Sequence, residues 1–108
     1  MTEKTSTSPA VKAKIDNILN ENKVVLFMKG SPQFPQCGFS ARATAILQEL
    51  QTPFHTIDVL QDAEIRQGIK DYGNWPTIPQ LYINKELIGG SDIMMEMYES
   101  GELKTLLS

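Results

Sequence analysis

The feature that most constrains the fold of this 108-residue chain is a run of apolar residues, Val24 to Met28, rich in β-branched side chains. Because no residue of the run is polar, we expect a strand that is buried on both faces. Such a strand belongs in the middle of a sheet that helices cover on both sides. The run is also the longest apolar stretch of the chain, and it is far too short to span a membrane.

Helical and strand patterns alternate around this strand. Ser8 and Pro9 predict the start of a helix over residues 9–22. We predict the later elements as a helix over about 38–51, a strand over 54–59, a helix capped by Asp62, strands over 79–83 and 86–88, a helix over 93–99 and a short C-terminal helix. The two-residue connection between the last two strands indicates an antiparallel hairpin. This order predicts an α/β fold of the thioredoxin-like class, a mixed four-stranded sheet flanked by helices on both faces.

Length and composition narrow the functional classes. We expect a flexible N-terminal tail over residues 1–8 and a single domain over residues 9–108. The net charge of −3 argues against a nucleic-acid binder. The first residues have neither a secretory signal nor the arginines of a mitochondrial presequence, and one cysteine favours a reducing compartment, so we expect a cytoplasmic protein.

Cys37 is the single cysteine, within a segment over residues 29–40 that reads KGSPQFPQCGFS. Its prolines and glycines indicate a surface loop, and a helical pattern begins directly after it. Free N–H groups and the dipole of a helix N-terminus favour a thiolate, so we expect a lowered pKa and a reactive thiol rather than an inert core cysteine. Ser40 can donate a hydrogen bond to that thiolate, but it cannot act as a resolving thiol.

Two cationic residues are open to either a structural or a functional interpretation. Lys29 ends the first strand, where it is either a solvated lysine or a fixed charge that lowers the pKa of Cys37 or holds a carboxylate. Arg66 is either a surface arginine or a bidentate clamp for a carboxylate.

The two remaining motifs are equally open. Pro79 is either a proline tolerated at a strand start or part of a cis bond that turns the backbone of Ile78 toward an extended peptide. The segment Gly89-Gly90-Ser91-Asp92 is either a turn with a helix cap or a nest for a carboxylate, with Asp92 free to bind an ammonium group. The only histidine, His55, excludes a histidine-rich metal site and is interpreted as structural or solvated.

Four motifs together resemble the monothiol glutaredoxins of the CGFS type, over about residues 11–107. They are Lys29-Gly30-Ser31-Pro32, Cys37-Gly38-Phe39-Ser40, Trp75-Pro76-Thr77-Ile78-Pro79 and Gly89-Gly90-Ser91-Asp92. A lone C-x-x-S would be a weak signal, whereas the four in this order and spacing are specific. The chain is most similar to the single-domain bacterial form. The resemblance implies a thioredoxin-like fold with a cis peptide bond before Pro79.

The resemblance also implies a glutathione site beside Cys37. Lys29 and Arg66 match the family's contacts to the glycine carboxylate, and Ile78 matches the residue whose backbone pairs with the cysteinyl unit. Ser91 and Asp92 match the residues that hold the γ-glutamyl end. Many family members have a second cysteine in place of Ser91, so this chain lacks the disulfide that such a cysteine could form.

In this family two chains and two glutathione molecules are expected to hold one [2Fe–2S] cluster. Such a cluster needs four thiolate ligands, of which Cys37 of each chain supplies one and the glutathiones supply the rest. The resemblance therefore implies a homodimer when the cluster is bound and a monomer when it is absent. It implies iron–sulfur apoproteins and a BolA-like protein as partners.

The alternative function is a glutathione-dependent oxidoreductase that removes glutathione from mixed disulfides through Cys37. The resemblance implies that such enzymatic activity is weak at most. The reason is the seven-residue loop between Lys29 and Cys37, which is expected to misplace the incoming glutathione.

Overall fold

The computed structural model of the chain describes residues 8–108, so the predicted tail falls, apart from Ser8, outside the described residues. The helices and strands, in chain order, are α1 (Pro9–Glu21), β1 (Val24–Met28), α2 (Gly38–Glu49), β2 (His55–Asp58), a 3₁₀ helix (Val59–Gln61), α3 (Ala63–Tyr72), β3 (Gln80–Ile83), β4 (Glu86–Gly89), α4 (Ser91–Ser100) and α5 (Glu102–Leu107). None of these helices combines the length and apolar character that crossing a membrane would require.

The four strands form one mixed sheet in the order β2-β1-β3-β4. Strand β1 pairs in parallel with β2 and antiparallel with β3, and β3 and β4 form the predicted hairpin. Every residue of β1 is buried, since strands lie on both of its edges and helices on both of its faces. The predicted sheet and the interior position of its most apolar strand are therefore confirmed.

Alternation along the strands divides the core into two layers. Val25 and Phe27 of β1 and Tyr82 of β3 face α1 and α3. Leu26 and Leu81 face the opposite layer, which α2, α4 and α5 cover and which also buries Met94. The thiol and the loops around it are thus carried on a sheet that is supported from both sides.

Element boundaries differ from prediction where side chains end or begin them. The predicted strand over 54–59 stops at Asp58, because the Asp58 carboxylate accepts a hydrogen bond from the N–H of Leu60 and opens the 3₁₀ helix. Helix α4 begins at Ser91 rather than at residue 93. Pro79 lies before β3 rather than inside it, and the bond that precedes it is cis as the resemblance implies.

Candidate functional site

Cys37 is the N-cap residue of α2, and its sulfur takes the place that an oxygen occupies in most helix caps. The backbone N–H of Ser40 donates to the sulfur at 3.3 Å. The Ser40 hydroxyl lies at the same distance from the sulfur, where it can accept from the thiol or donate to the thiolate. Cys37 is partly exposed, so other molecules can reach its thiol.

The environment of Cys37 lowers the pKa of its thiol. Burial acts in the opposite direction and is the largest single effect, since it disfavours the charged form. Hydrogen bonds from the hydroxyl and N–H of Ser40 and from the N–H of Phe39, together with the charge of Lys29, outweigh burial. The predicted thiolate character of Cys37 therefore has an identified set of donors.

Replacing Ser40 with alanine should raise the pKa of Cys37 and slow its alkylation at neutral pH. The hydroxyl stabilises the thiolate more than the thiol, because a hydrogen bond to a charged acceptor is the stronger one, so its loss lowers the fraction of thiolate at a given pH. The measurement is the rate of alkylation by iodoacetamide as a function of pH, which should move to higher pH. Thr44→Ala is the matched control, because Thr44 bonds to the Ser40 and Ala41 carbonyls rather than to the sulfur. Equal profiles for Ser40→Ala and the wild type would contradict this assignment.

The loop before Cys37 is closed by its own backbone. The N–H of Gln36 donates to the carbonyl of Lys29 at 2.9 Å, and Gly30 and Pro35 form a β-bridge. At the tip, Ser31 and Phe34 exchange backbone hydrogen bonds of 3.1 and 3.3 Å. The loop that precedes Cys37 is therefore a hairpin closed by backbone hydrogen bonds.

Asp58 ties the base of this loop to the sheet. Its carboxylate accepts the N–H of Gly30 at 2.9 Å, and the same oxygen accepts the N–H of Leu60. Asp58 is paired with Met28 across the parallel strands, so both strand ends and the start of the loop are held together. Sequence reasoning missed this role, although an acidic residue that ends a strand beside a parallel neighbour was a usable signal.

A groove of about 230 Å³ runs beside α4, and it is lined by Phe39, Trp75, Thr77, Ile78, Pro79, Gly90, Ser91, Asp92 and Ile93. It thus brings together Ile78, Ser91 and Asp92, which the family resemblance assigns to two parts of one ligand. Phe39, two residues after Cys37, forms one wall. A larger cavity of about 550 Å³ involves none of these residues and contains the exposed His55 instead.

The groove offers hydrogen-bond donors to a peptide-like acid. No side chain caps α4, so the first N–H groups of this helix are open to a carboxylate. The backbone of Ile78 precedes β3 and takes no part in its pairing with β1, which ends at Gln80. The indole nitrogen of Trp75 is buried and has no hydrogen-bond partner among the described residues. These features fit a ligand that has carboxylates and amide groups, such as glutathione.

Of the two predicted cations, Lys29 has a contact with the thiol site and Arg66 is known by its exposure alone. Lys29 is close enough to Cys37 for its charge to lower the thiol pKa, and its N–H donates to the Ser40 hydroxyl at 3.0 Å. Arg66 is an exposed residue of α3. Neither side chain belongs to the lining of the groove, so their assignment to a carboxylate of a ligand stays a prediction.

Aromatic side chains around the thiol are unusually exposed. Phe34 at the tip of the loop is 74% exposed, and Phe39 is 58% exposed. Sequence reasoning assigned no surface role to either residue. No group of three or more histidine, cysteine, aspartate or glutamate residues within residues 8–108 could hold a metal ion. Any metal centre at Cys37 would therefore need ligands from beyond the described residues of one chain.

Comparisons with known proteins agree with this geometry. The glutaredoxin family model matches residues 24–88. An uncharacterized monothiol glutaredoxin of Synechocystis is 59% identical over 100 residues, which cover 93% of this chain and 94% of that protein.

Solved structures give the same result. The solution structure of reduced apo GrxS14 from poplar has a TM-score of 0.80 at 50% identity, covering 91% of this chain and 90% of that one. A buckwheat glutaredoxin–glutathione complex has a TM-score of 0.80 at 26% identity, covering 91% and 87%. These likenesses confirm the thioredoxin-like fold that the sequence predicts.

Proposed function

The chain belongs to the glutaredoxin family and resembles its monothiol members. From that premise we propose that it binds glutathione and that two subunits together hold a [2Fe–2S] cluster, which they transfer to other proteins. The observation that carries the proposal is a single accessible thiol of lowered pKa, two residues before Phe39, which lines a groove that suits a small peptide acid. The buckwheat relative, whose structure contains glutathione, supports the choice of ligand.

Glutathione, when bound, supplies a second sulfur ligand beside Cys37. We assign its cysteinyl unit to the backbone of Ile78 and its γ-glutamyl end to Ser91 and Asp92, at the start of α4. Lys29 and Arg66 are proposed to hold the glycine carboxylate, as the family resemblance implies. This assignment places acidic groups of the ligand near helix N–H donors and cations, which is where they are most stable.

The proposed cargo explains why one cysteine is enough. A [2Fe–2S] cluster takes four sulfur ligands. Two copies of Cys37 and two glutathiones provide this number in a symmetric pair, whereas one chain has no second cysteine to offer. Because half of the ligands are small molecules that dissociate, such a cluster can be handed on to another protein. We therefore propose a homodimer that forms with the cluster and a monomer without it.

The second candidate function is the reduction of protein–glutathione disulfides, which the lowered pKa of Cys37 favours. The Cys37 thiolate would attack the glutathione sulfur, and the substrate protein would leave as a thiolate. A second glutathione thiolate would then attack the new disulfide, which releases oxidised glutathione and restores Cys37. We place this activity second because the seven-residue loop ahead of Cys37 is expected to misplace the second glutathione.

Cluster transfer and disulfide reduction can be compared on one preparation. Protein loaded with iron and sulfide in the presence of glutathione, without air, is mixed with an apo-ferredoxin, and the acceptor's circular dichroism is followed. The same protein is assayed for turnover of a glutathionylated peptide. We expect transfer of the cluster and weak turnover. Rapid turnover without transfer would reverse the order of the two functions.

The remaining assignments follow from the same proposal. We propose iron–sulfur apoproteins and a BolA-like protein as partners, and the cytoplasm as the compartment, since a free thiol of this kind persists under reducing conditions. Residues 9–108 are proposed to act as one glutaredoxin domain.

A further inference from the structure

A buried carboxamide lies outside the thiol site, on the residue directly after Pro79. Gln80 is the first residue of β3, and its side chain is completely buried. Its amide nitrogen donates to the carbonyl of Trp75 at 3.0 Å and to the carbonyl of Thr77 at 3.1 Å. One side chain thus holds two points of the segment that forms a wall of the groove.

Tyr82 fixes which end of this amide faces the segment. Its hydroxyl donates to the amide oxygen of Gln80 at 3.1 Å, so the amide nitrogen must point toward the two carbonyls. Burial raises the pKa of Tyr82, so the hydroxyl keeps the proton that it donates. The Tyr82 ring is itself fixed by edge-on contacts with Phe27 and Tyr72.

The segment also fits closely over this pair of side chains. A Cβ atom at Gly73 would collide with the Tyr82 hydroxyl and would lie 3.3 Å from the amide oxygen of Gln80. The backbone at Gly73 therefore passes too close to the Tyr82–Gln80 pair to accept a side chain. Such a buried polar network, with its partners satisfied, defines one conformation of the backbone that surrounds it.

We propose that Gln80, oriented by Tyr82, is a positioning residue for glutathione: it sets the Trp75–Ile78 segment in the conformation that presents the Ile78 backbone and the Trp75 side chain to the groove. This inference rests on the proposed function, because it assumes that glutathione is the ligand of the groove. Gln80 itself does not line the groove, so it acts through the segment that it holds. The polar residue within an otherwise apolar strand was the sequence signal for this role.

Gln80→Met keeps the length of the side chain and removes both donated hydrogen bonds. We expect the dissociation constant of glutathione, measured by calorimetry on folded protein, to rise at least about tenfold, as for the loss of one to two net hydrogen bonds. The alkylation profile of Cys37 should stay unchanged, because Ser40, Phe39 and Lys29 set the pKa of this thiol. A general loosening of the fold would alter both quantities.

A pair of tyrosine variants keeps the inference testable if Gln80→Met does not fold. Tyr82→Phe removes the hydroxyl that orients the amide, whereas Tyr72→Phe removes a hydroxyl that bonds to Asp16 instead. We expect weaker glutathione binding, by about threefold or more, for Tyr82→Phe alone. Equal effects of the two variants, or wild-type affinity in both Gln80→Met and Tyr82→Phe, would overturn the proposal.

Trp75 gives a readout that does not depend on glutathione, since it is the only tryptophan of the chain. Its fluorescence emission and its quenching by acrylamide should change in Gln80→Met and Tyr82→Phe and stay constant in Tyr72→Phe. Unchanged Trp75 fluorescence in all three variants would refute the positioning role. A wild-type protein that fails to bind glutathione, together with the expected fluorescence changes, would instead refute the proposed function while the segment remained under the control of Gln80.

Discussion

Replacing Cys37 with serine should abolish the binding of a [2Fe–2S] cluster and, with it, the cluster-dependent dimer. The chain has no other cysteine, and a serine hydroxyl is not a ligand that holds such a cluster. The fold should survive, because Cys37 caps α2 through its side chain and serine is a preferred residue at that position. The measurements are iron content, visible absorption and molar mass after anaerobic loading with glutathione present.

Two controls make the Cys37→Ser result specific. Wild-type protein alkylated at Cys37 before loading should behave as the serine variant does, whereas Ser40→Ala should still take up iron, because it keeps the sulfur. Thermal unfolding should show that the serine variant is folded. A folded Cys37→Ser protein that binds as much iron as the wild type would contradict the assignment of Cys37 as the metal ligand.

Replacing Gly30 with alanine should lower the free energy of unfolding by about 2–3 kcal/mol and disorder the hairpin loop before Cys37. Gly30 has a φ of +90°, a conformation that side chains other than glycine rarely adopt. The added Cβ would also collide with the carbonyl oxygen of Phe34 and lie 2.8 Å from the backbone nitrogen of Gln36. Both atoms belong to the closed hairpin, so they cannot move without breaking it.

Gly38→Ala is the matched control for Gly30→Ala. Gly38 lies on the other side of Cys37, its φ is not positive, and a Cβ there meets nothing within 4 Å. The free energy of unfolding, measured by urea denaturation, should change by less than about 1 kcal/mol in Gly38→Ala. In Gly30→Ala the affinity for glutathione should fall as well. If both glycine variants unfold at the same urea concentration as the wild type, the hairpin does not require Gly30.

The sheet could be predicted because its pattern is local. The apolar run over Val24–Met28 predicts a central strand, and the two-residue connection Asn84-Lys85 predicts an antiparallel hairpin. The structure has both. The thiolate character of Cys37 could also be predicted from the sequence, since it depends on a helix start and on Ser40, three residues away.

The groove and its supports could not be read from the sequence in the same way. Gln80 and Tyr82 are only two residues apart, but the bonds from Gln80 to the Trp75–Thr77 segment depend on the path of that backbone. Asp58 meets Gly30 only because β1 and β2 are parallel neighbours. The polar residue in β3 and the acidic residue that ends β2 are signals in the sequence, but by themselves they do not identify these partners. The role of Arg66 was taken from the family resemblance, and it stays a prediction because Arg66 is not part of the groove lining.

The composition of the loaded protein is the most direct test of a cluster shared by two chains and two glutathiones. After anaerobic loading with iron, sulfide and glutathione, size-exclusion chromatography with light scattering is combined with assays of iron, sulfide and glutathione on the coloured peak. We expect a dimer that contains two irons, two sulfides and two glutathiones, and no coloured dimer when glutathione is left out. A colourless monomer in the presence of glutathione, or a full cluster bound in its absence, would contradict this expectation.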